Sequence, residues 1–281
     1  MLKPFKALMA AMAFIAAFSA SLAAPLWAAP ETTSIYKVPY SQDTTAIEGR
    51  WVLPIPAKPH LPIVILFPDW MGVSKNATDD AQRIATWGYA VFIADPYGVN
   101  AQPKSQEEAG MRAGALKQDI LLMRARALAA LETSKRQTGV DTSRVVAIGY
   151  CFGGMVALEL ARSGAPLRGT VNIHGNLKAT MPGDARSIHG PVLALRGAED
   201  PFVPWEEAAL FRDEMKAAGV DWQLVEYGGA VHAFTNPKAG NDPSKGAAYN
   251  PVVTARANAA LKNFFEETLR SDKKVGKKKR R

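Results

Sequence analysis

Cysteine and histidine are scarce in this chain: one Cys and four His among 281 residues. A single cysteine, Cys151, excludes an intramolecular disulfide, and so few soft ligands argue against a four-ligand structural zinc site. Long apolar runs are also missing. The longest candidate, Ala7 to Phe18, falls short of the roughly 20 residues that a membrane-spanning helix needs. No internal repeat and no low-complexity linker interrupts the chain. An excess of one charge is missing from its body. Seven of the 34 Lys and Arg, with one Asp, sit in residues 271–281, and Lys3 and Lys6 are two more. The rest therefore holds 25 basic and 25 acidic side chains, although the formal total is +8. A basic nucleic-acid-binding face is not expected from a neutral body.

Hydrophobic residues at 48% and charged residues at 21% describe an ordinary globular chain, able to bury a core without staples. The first thirty residues follow a different plan: two lysines, a short apolar run, then small residues and prolines. This is the layout of a secretory signal peptide. Residues 1–29 are set aside on that ground, with cleavage expected after Ala23 and, as an alternative, after Ala28. An uncleaved anchor is the competing reading. The mature protein is expected to be exported, to the periplasm if the source is Gram-negative, and to touch a membrane only through this segment. Residues 271–281 read as a basic, solvated tail, and residues 30–270 as one domain.

Short apolar or alternating runs mark strands at 34–39, 46–53, 62–67, 89–94, 144–149, 169–173, 191–196 and 222–227. Helical patterns fall at about 76–87, 105–137, 152–163, 204–218 and 253–270. Two strands in direct succession begin the series, and strand–helix alternation follows. That order predicts an α/β fold with a mostly parallel central sheet, an antiparallel N-terminal hairpin and helices on both faces.

The most informative segment runs from Val145 to Ala157. An apolar strand enters Gly149-Tyr150-Cys151-Phe152-Gly153-Gly154 and leaves as a helix. This is the layout of a nucleophile elbow, with Cys in the place usually held by Ser. A sharp strand-to-helix turn exposes the nucleophile and crowds its neighbours two residues away, where Gly149 and Gly153 stand. The helix start also favours a thiolate. The plain alternative is a small buried cysteine.

A cysteine nucleophile needs a base and a group to orient it. On an α/β-hydrolase fold the chain order is nucleophile, acid, base. Asp200 follows the strand at 191–196, with Glu199 as a rival acid. His232 follows the strand at 222–227. Both stand at carboxyl ends of strands, the edge where sites of open α/β sheets gather. His60 and His189 precede strands, and His174 precedes Asp200 in the chain, so His232 is the preferred base.

These residues resemble the dienelactone hydrolase family, a Cys-dependent branch of the α/β-hydrolases. The likeness rests on Gly-Tyr-Cys-Phe-Gly-Gly at 149–154, Glu-Asp-Pro-Phe-Val-Pro at 199–204 and Val-His-Ala-Phe-Thr-Asn-Pro at 231–237. It extends to Phe-Pro-Asp-Trp-Met-Gly at 67–72 and Ala-Asp-Pro-Tyr-Gly at 94–98. The resemblance implies a triad of Cys151, His232 and Asp200, and an oxyanion hole made by the backbone N–H groups of Phe152 and Trp70. Asp69 stands where well-studied members carry a Glu that contacts the resting thiol, which makes it the candidate activating group. Asn236 stands where lactone-specific members carry an Arg for the substrate carboxylate. Tyr97, Phe234 and Asn236 are the candidate substrate contacts.

The expected reaction is hydrolysis of a small-molecule ester or lactone through a thioester, with no metal or organic cofactor required. Three rivals stand beside it: a hydrolase of envelope or polymer esters on the same fold, a binding protein with an inert Cys151, and a thiol redox sensor.

Overall fold

The computed structural model describes residues 33–270. The expected export segment and the basic tail lie outside them. Strand β1 (Thr33–Gln42) pairs antiparallel along its whole length with β2 (Thr45–Pro54), and β2 pairs antiparallel with β4 (Ala90–Ile93). The other neighbours are parallel: β3 (Leu61–Phe67), β5 (Val140–Tyr150), β6 (Gly169–Ile173), β7 (Val192–Gly197) and β8 (Trp222–Tyr227). The order across the eight-stranded sheet is β1-β2-β4-β3-β5-β6-β7-β8.

The continuous apolar runs have a direct cause. Every residue of β3 and β4 is buried, because both faces of the sheet are covered. Alternate side chains divide between two layers. Val64, Leu66, Val91, Ile93, Val146 and Ile148 meet α1 (Lys75–Ala85) and α6 (Pro251–Thr268) through Ile84, Leu261 and Phe265. Ile63, Ile65, Phe67, Phe92 and Ala147 meet α2 (Gln106–Gln118), α3 (Ile120–Lys135) and α4 (Phe152–Arg162). Helix α5 (Trp205–Ala218) extends the second layer, packing Phe211 and Met215 with Val192, Ala194 and Leu158.

Two expectations need revision. The single helix expected over 105–137 is two helices. The chain breaks at Asp119 (φ −114°, ψ 80°), whose carboxylate accepts from the Leu122 N–H at 3.0 Å and caps α3. Strand β5 begins earlier than expected, because Val140 and Asp141 pair with Leu61 and Pro62 ahead of a register shift at Pro62/Ile63.

Candidate active site

The turn from β5 into α4 places Cys151 at φ 53° and ψ −120°, a backbone conformation that L-residues rarely adopt. The crowding expected of such a turn is severe. A Cβ on Gly149 would lie 1.8 Å from the Gly153 carbonyl oxygen, and one on Gly153 would lie 2.1 Å from the Phe67 carbonyl oxygen. The start of α4 therefore packs directly on the end of β3. The Cys151 N–H donates to the Ile173 carbonyl at 3.0 Å, which ties the elbow to β6.

Three strand ends converge here. His232 Nε2 lies 3.0 Å from Cys151 Sγ, and its Nδ1 lies 2.8 Å from Asp200 Oδ2. Asp200 is buried, and its Oδ1 accepts from the N–H groups of Phe202 at 2.8 Å and Val203 at 3.2 Å. A carboxylate only accepts, so the His232 Nδ1 proton is the one that faces it. The His232 backbone is pinned on both sides: its N–H donates to Gly246, and its carbonyl accepts from Ala248. Burial pulls the His232 imidazolium down, but the bonds to Asp200 and Cys151 outweigh it and push the ring up to about 10.

The rivals separate cleanly. Glu199 faces away, accepting from the Gly229 N–H at 2.9 Å. His60 sits ahead of β3 at the opposite edge of the sheet, and exposed His189 sits ahead of β7. His174, at the end of β6, lies against His232 with ring centroids 5.2 Å apart.

The loop after β3 carries Asp69 and Trp70. Asp69 does not bond the thiol. Its Oδ1 accepts from the Met71 N–H at 2.8 Å and its Oδ2 from Asn76 at 3.4 Å, so the shorter side chain closes its own turn. Burial raises its carboxyl above the usual range. Trp70 is partly exposed, and its carbonyl accepts from the Tyr97 hydroxyl at 2.8 Å.

The three candidate substrate contacts are held by bonds and packing of their own. Tyr97 is 4% exposed and stacks at 9° on Phe152, so it braces the Trp70 loop from within. Phe234 is fully buried, edge-on to His174 and Tyr227, because the apolar layer under the His232 loop requires it there. Asn236 accepts from the Lys238 N–H at 2.9 Å and caps a short 3-10 turn. Phe202, not singled out from the sequence, is 56% exposed with its ring edge-on to His232 at 5.3 Å. The signal was its place two residues after Asp200, where the turn that holds the carboxylate projects the next side chain beside the imidazole.

Comparison with known proteins gives the family. Residues 50–269 match the model of the dienelactone hydrolase family. A solved dienelactone hydrolase-like promiscuous phosphotriesterase from metagenomic libraries is 38% identical, with a TM-score of 0.81 over 85% of this chain and 99% of that one. A curated Saccharolobus solfataricus protein, assigned by inference as a carboxymethylenebutenolidase, is 25% identical over 260 residues, 79% of this chain and 95% of its own. A Salmonella typhimurium protein with the same assignment is 26% identical over 187 residues, 62% of this chain and 68% of its own. The chain belongs to the dienelactone hydrolase family.

Proposed function

We propose that this member of the dienelactone hydrolase family is an exported hydrolase of activated carboxylic esters or lactones, acting through a thioester on Cys151. The observation that carries the reading is the unbroken line from Asp200 through His232 to a thiol on a strained elbow. The Cys151 thiolate attacks the carbonyl carbon, and the oxyanion develops toward the N–H groups of Phe152 and Trp70. The adduct collapses with loss of the alcohol or enol, which takes the proton from His232 Nε2. His232, now neutral, removes a proton from water, which attacks the thioester. The second adduct expels the thiolate, releasing the acid and restoring the pair. Asp200 holds the His232 tautomer and stabilises the imidazolium.

Thiolate is itself a good leaving group. The first adduct therefore returns to substrate unless the other leaving group is at least as good. Enol lactones and aryl esters meet that condition, and alkyl esters and amides do so poorly. Asn236, with its oxygen spent on a turn, offers no positive charge to a substrate carboxylate.

The test compares the purified protein with Cys151→Ala and His232→Gln on dienelactone and p-nitrophenyl acetate, with iodoacetamide labelling alongside. Turnover should vanish in Cys151→Ala and after labelling. If the His232 imidazole assists the thiol across their 3.0 Å contact, the labelling rate should fall sharply in His232→Gln at neutral pH. An alkylation rate that does not respond to His232 would refute the pair.

A further inference from the structure

His174 directly follows β6 at φ 41°, is 3% exposed, and has no role in the steps above. Three rings meet around it. Its centroid lies 5.2 Å from that of His232 at 66°, 5.1 Å from Phe234 at 81° and 6.1 Å from Tyr150 at 52°. Its Nε2 lies 2.9 Å from the Thr235 hydroxyl, while its Nδ1 is buried without a hydrogen-bond partner among the described residues. Thr235 stands three residues after His232, beyond Ala233, which holds a positive φ of 56°. The same turn is anchored on its other side, where the Phe234 carbonyl accepts from the Asn250 N–H and the Thr254 hydroxyl.

The charged surroundings are sparse. From β5 comes Tyr150, whose hydroxyl accepts from Arg83 at 2.9 Å, with Asp80 paired to Arg83 behind it. From the loop after β8 comes His232, with Asp200 and Cys151 beyond it. Among the described residues, no carboxylate bonds the His174 ring. Burial, with the His232 charge acting in the same direction, keeps it neutral. An imidazole is unusual filler for such a place, since it leaves one buried nitrogen unpaired. What it gains over a phenyl ring is the bond to Thr235.

We propose that His174 is a positioning residue: a neutral imidazole that pins the His232 loop through Thr235 and backs the His232 ring, so that Nε2 stays on the thiol. The inference rests on the Cys151–His232 pair proposed above. A second charge at this place would oppose the imidazolium, so a ring that stays neutral serves where a cationic side chain would not.

The experiment measures iodoacetamide labelling of Cys151 against pH, with kcat and KM for p-nitrophenyl acetate, in wild type, His174→Phe, His174→Gln, Thr235→Val and the His174→Phe/Thr235→Val double variant. His174→Phe and Thr235→Val should each lower the neutral-pH labelling rate and kcat by about 10-fold, the scale of one hydrogen bond, with KM unchanged. The double variant should be no worse than the worse single one. His174→Gln, which returns an amide near the Nε2 position, should recover most of the loss. A wild-type labelling profile in His174→Phe, or multiplying effects in the double variant, would overturn the inference. If His174→Phe fails to fold, Thr235→Val and His174→Gln carry the same comparison. If the wild type labels in a His232-dependent way but does not turn over ester, the catalytic reading fails, and labelling alone still decides the role of His174.

Discussion

A non-glycine residue held at φ 53°, as Cys151 is, costs on the order of 1–3 kcal/mol. That cost is met where a Cβ has no room on either side, at Gly149 and Gly153. The elbow's constraints are local in sequence and show in its glycine spacing, whereas Asp200 and His232 were singled out by their places after strands and their order in the chain. Asp69, Tyr97 and Phe234 could not be read in these ways. What they do depends on which backbone groups lie within 3 Å in space, and one-dimensional spacing does not encode that. His174 was set aside on chain order, although the parallel β5–β6 pairing brings it beside the elbow. Its burial has a consequence for stability. The unfolded ring takes a proton near 6.5, whereas the folded ring takes one only well below that. Between those points the unfolded state binds more protons, so stability is full above 6.5 and is lost as pH falls toward the folded value. Urea unfolding from pH 7 to 5 should show wild type losing up to about 1.4 kcal/mol per pH unit more than His174→Phe. Parallel slopes would mean that the folded ring protonates freely.

At the scale of the element, the strands were legible and one helix was not. Buried parallel strands announce themselves as apolar runs such as Ile63 to Phe67. Amphipathic periodicity, by contrast, continues across a break when both flanking helices face the same layer. Leu116 of α2 and Met123 of α3 both enter the layer beneath Phe67, so the pattern reads as one helix. Asp119 was the available signal. It leaves helical geometry and caps α3, and its own N–H still bonds back to Ala115 and Leu116. Replacing Asp119 with Ala should cost about 1 kcal/mol, the usual price of a lost N-cap, as a shift in urea midpoint without a change in slope. Asn in its place should retain most of that, since its side-chain oxygen can accept the same N–H. An unshifted midpoint for Asp119→Ala would show that packing alone sets the break.

At the scale of the whole molecule, the sheet order was beyond reach from the sequence. Insertion of β4 between β2 and β3 depends on crossovers that no single segment specifies. Nor was it legible that the helices of the second layer are joined by charge as well as by apolar contact. Arg162 is almost fully buried in α4. It donates to Glu159 Oε1 at 3.0 Å, to both carboxylate oxygens of Glu214 on α5, and to the carbonyls of Leu177 and Lys178 in the segment after β6. Arg124 of α3 closes the set, reaching the other oxygen of Glu159 at 2.7 Å and Asp184 at 2.7 Å. Three helices and the segment that follows His174 thus share four guanidinium–carboxylate contacts. Removing one partner leaves desolvated charge without its counterpart, which typically costs 3–5 kcal/mol, roughly. Arg162 keeps Glu214 and two carbonyls when Glu159 is lost, so Glu159→Ala should fall near the lower end, about 3 kcal/mol. The exposed Lys75–Asp79 pair on α1 is the control: Asp79→Ala should change stability by no more than about 0.5 kcal/mol. Urea unfolding of both variants reads the contrast. Equal small losses would mean that packing of the second layer, rather than the charge network, holds the segment after β6 against the site.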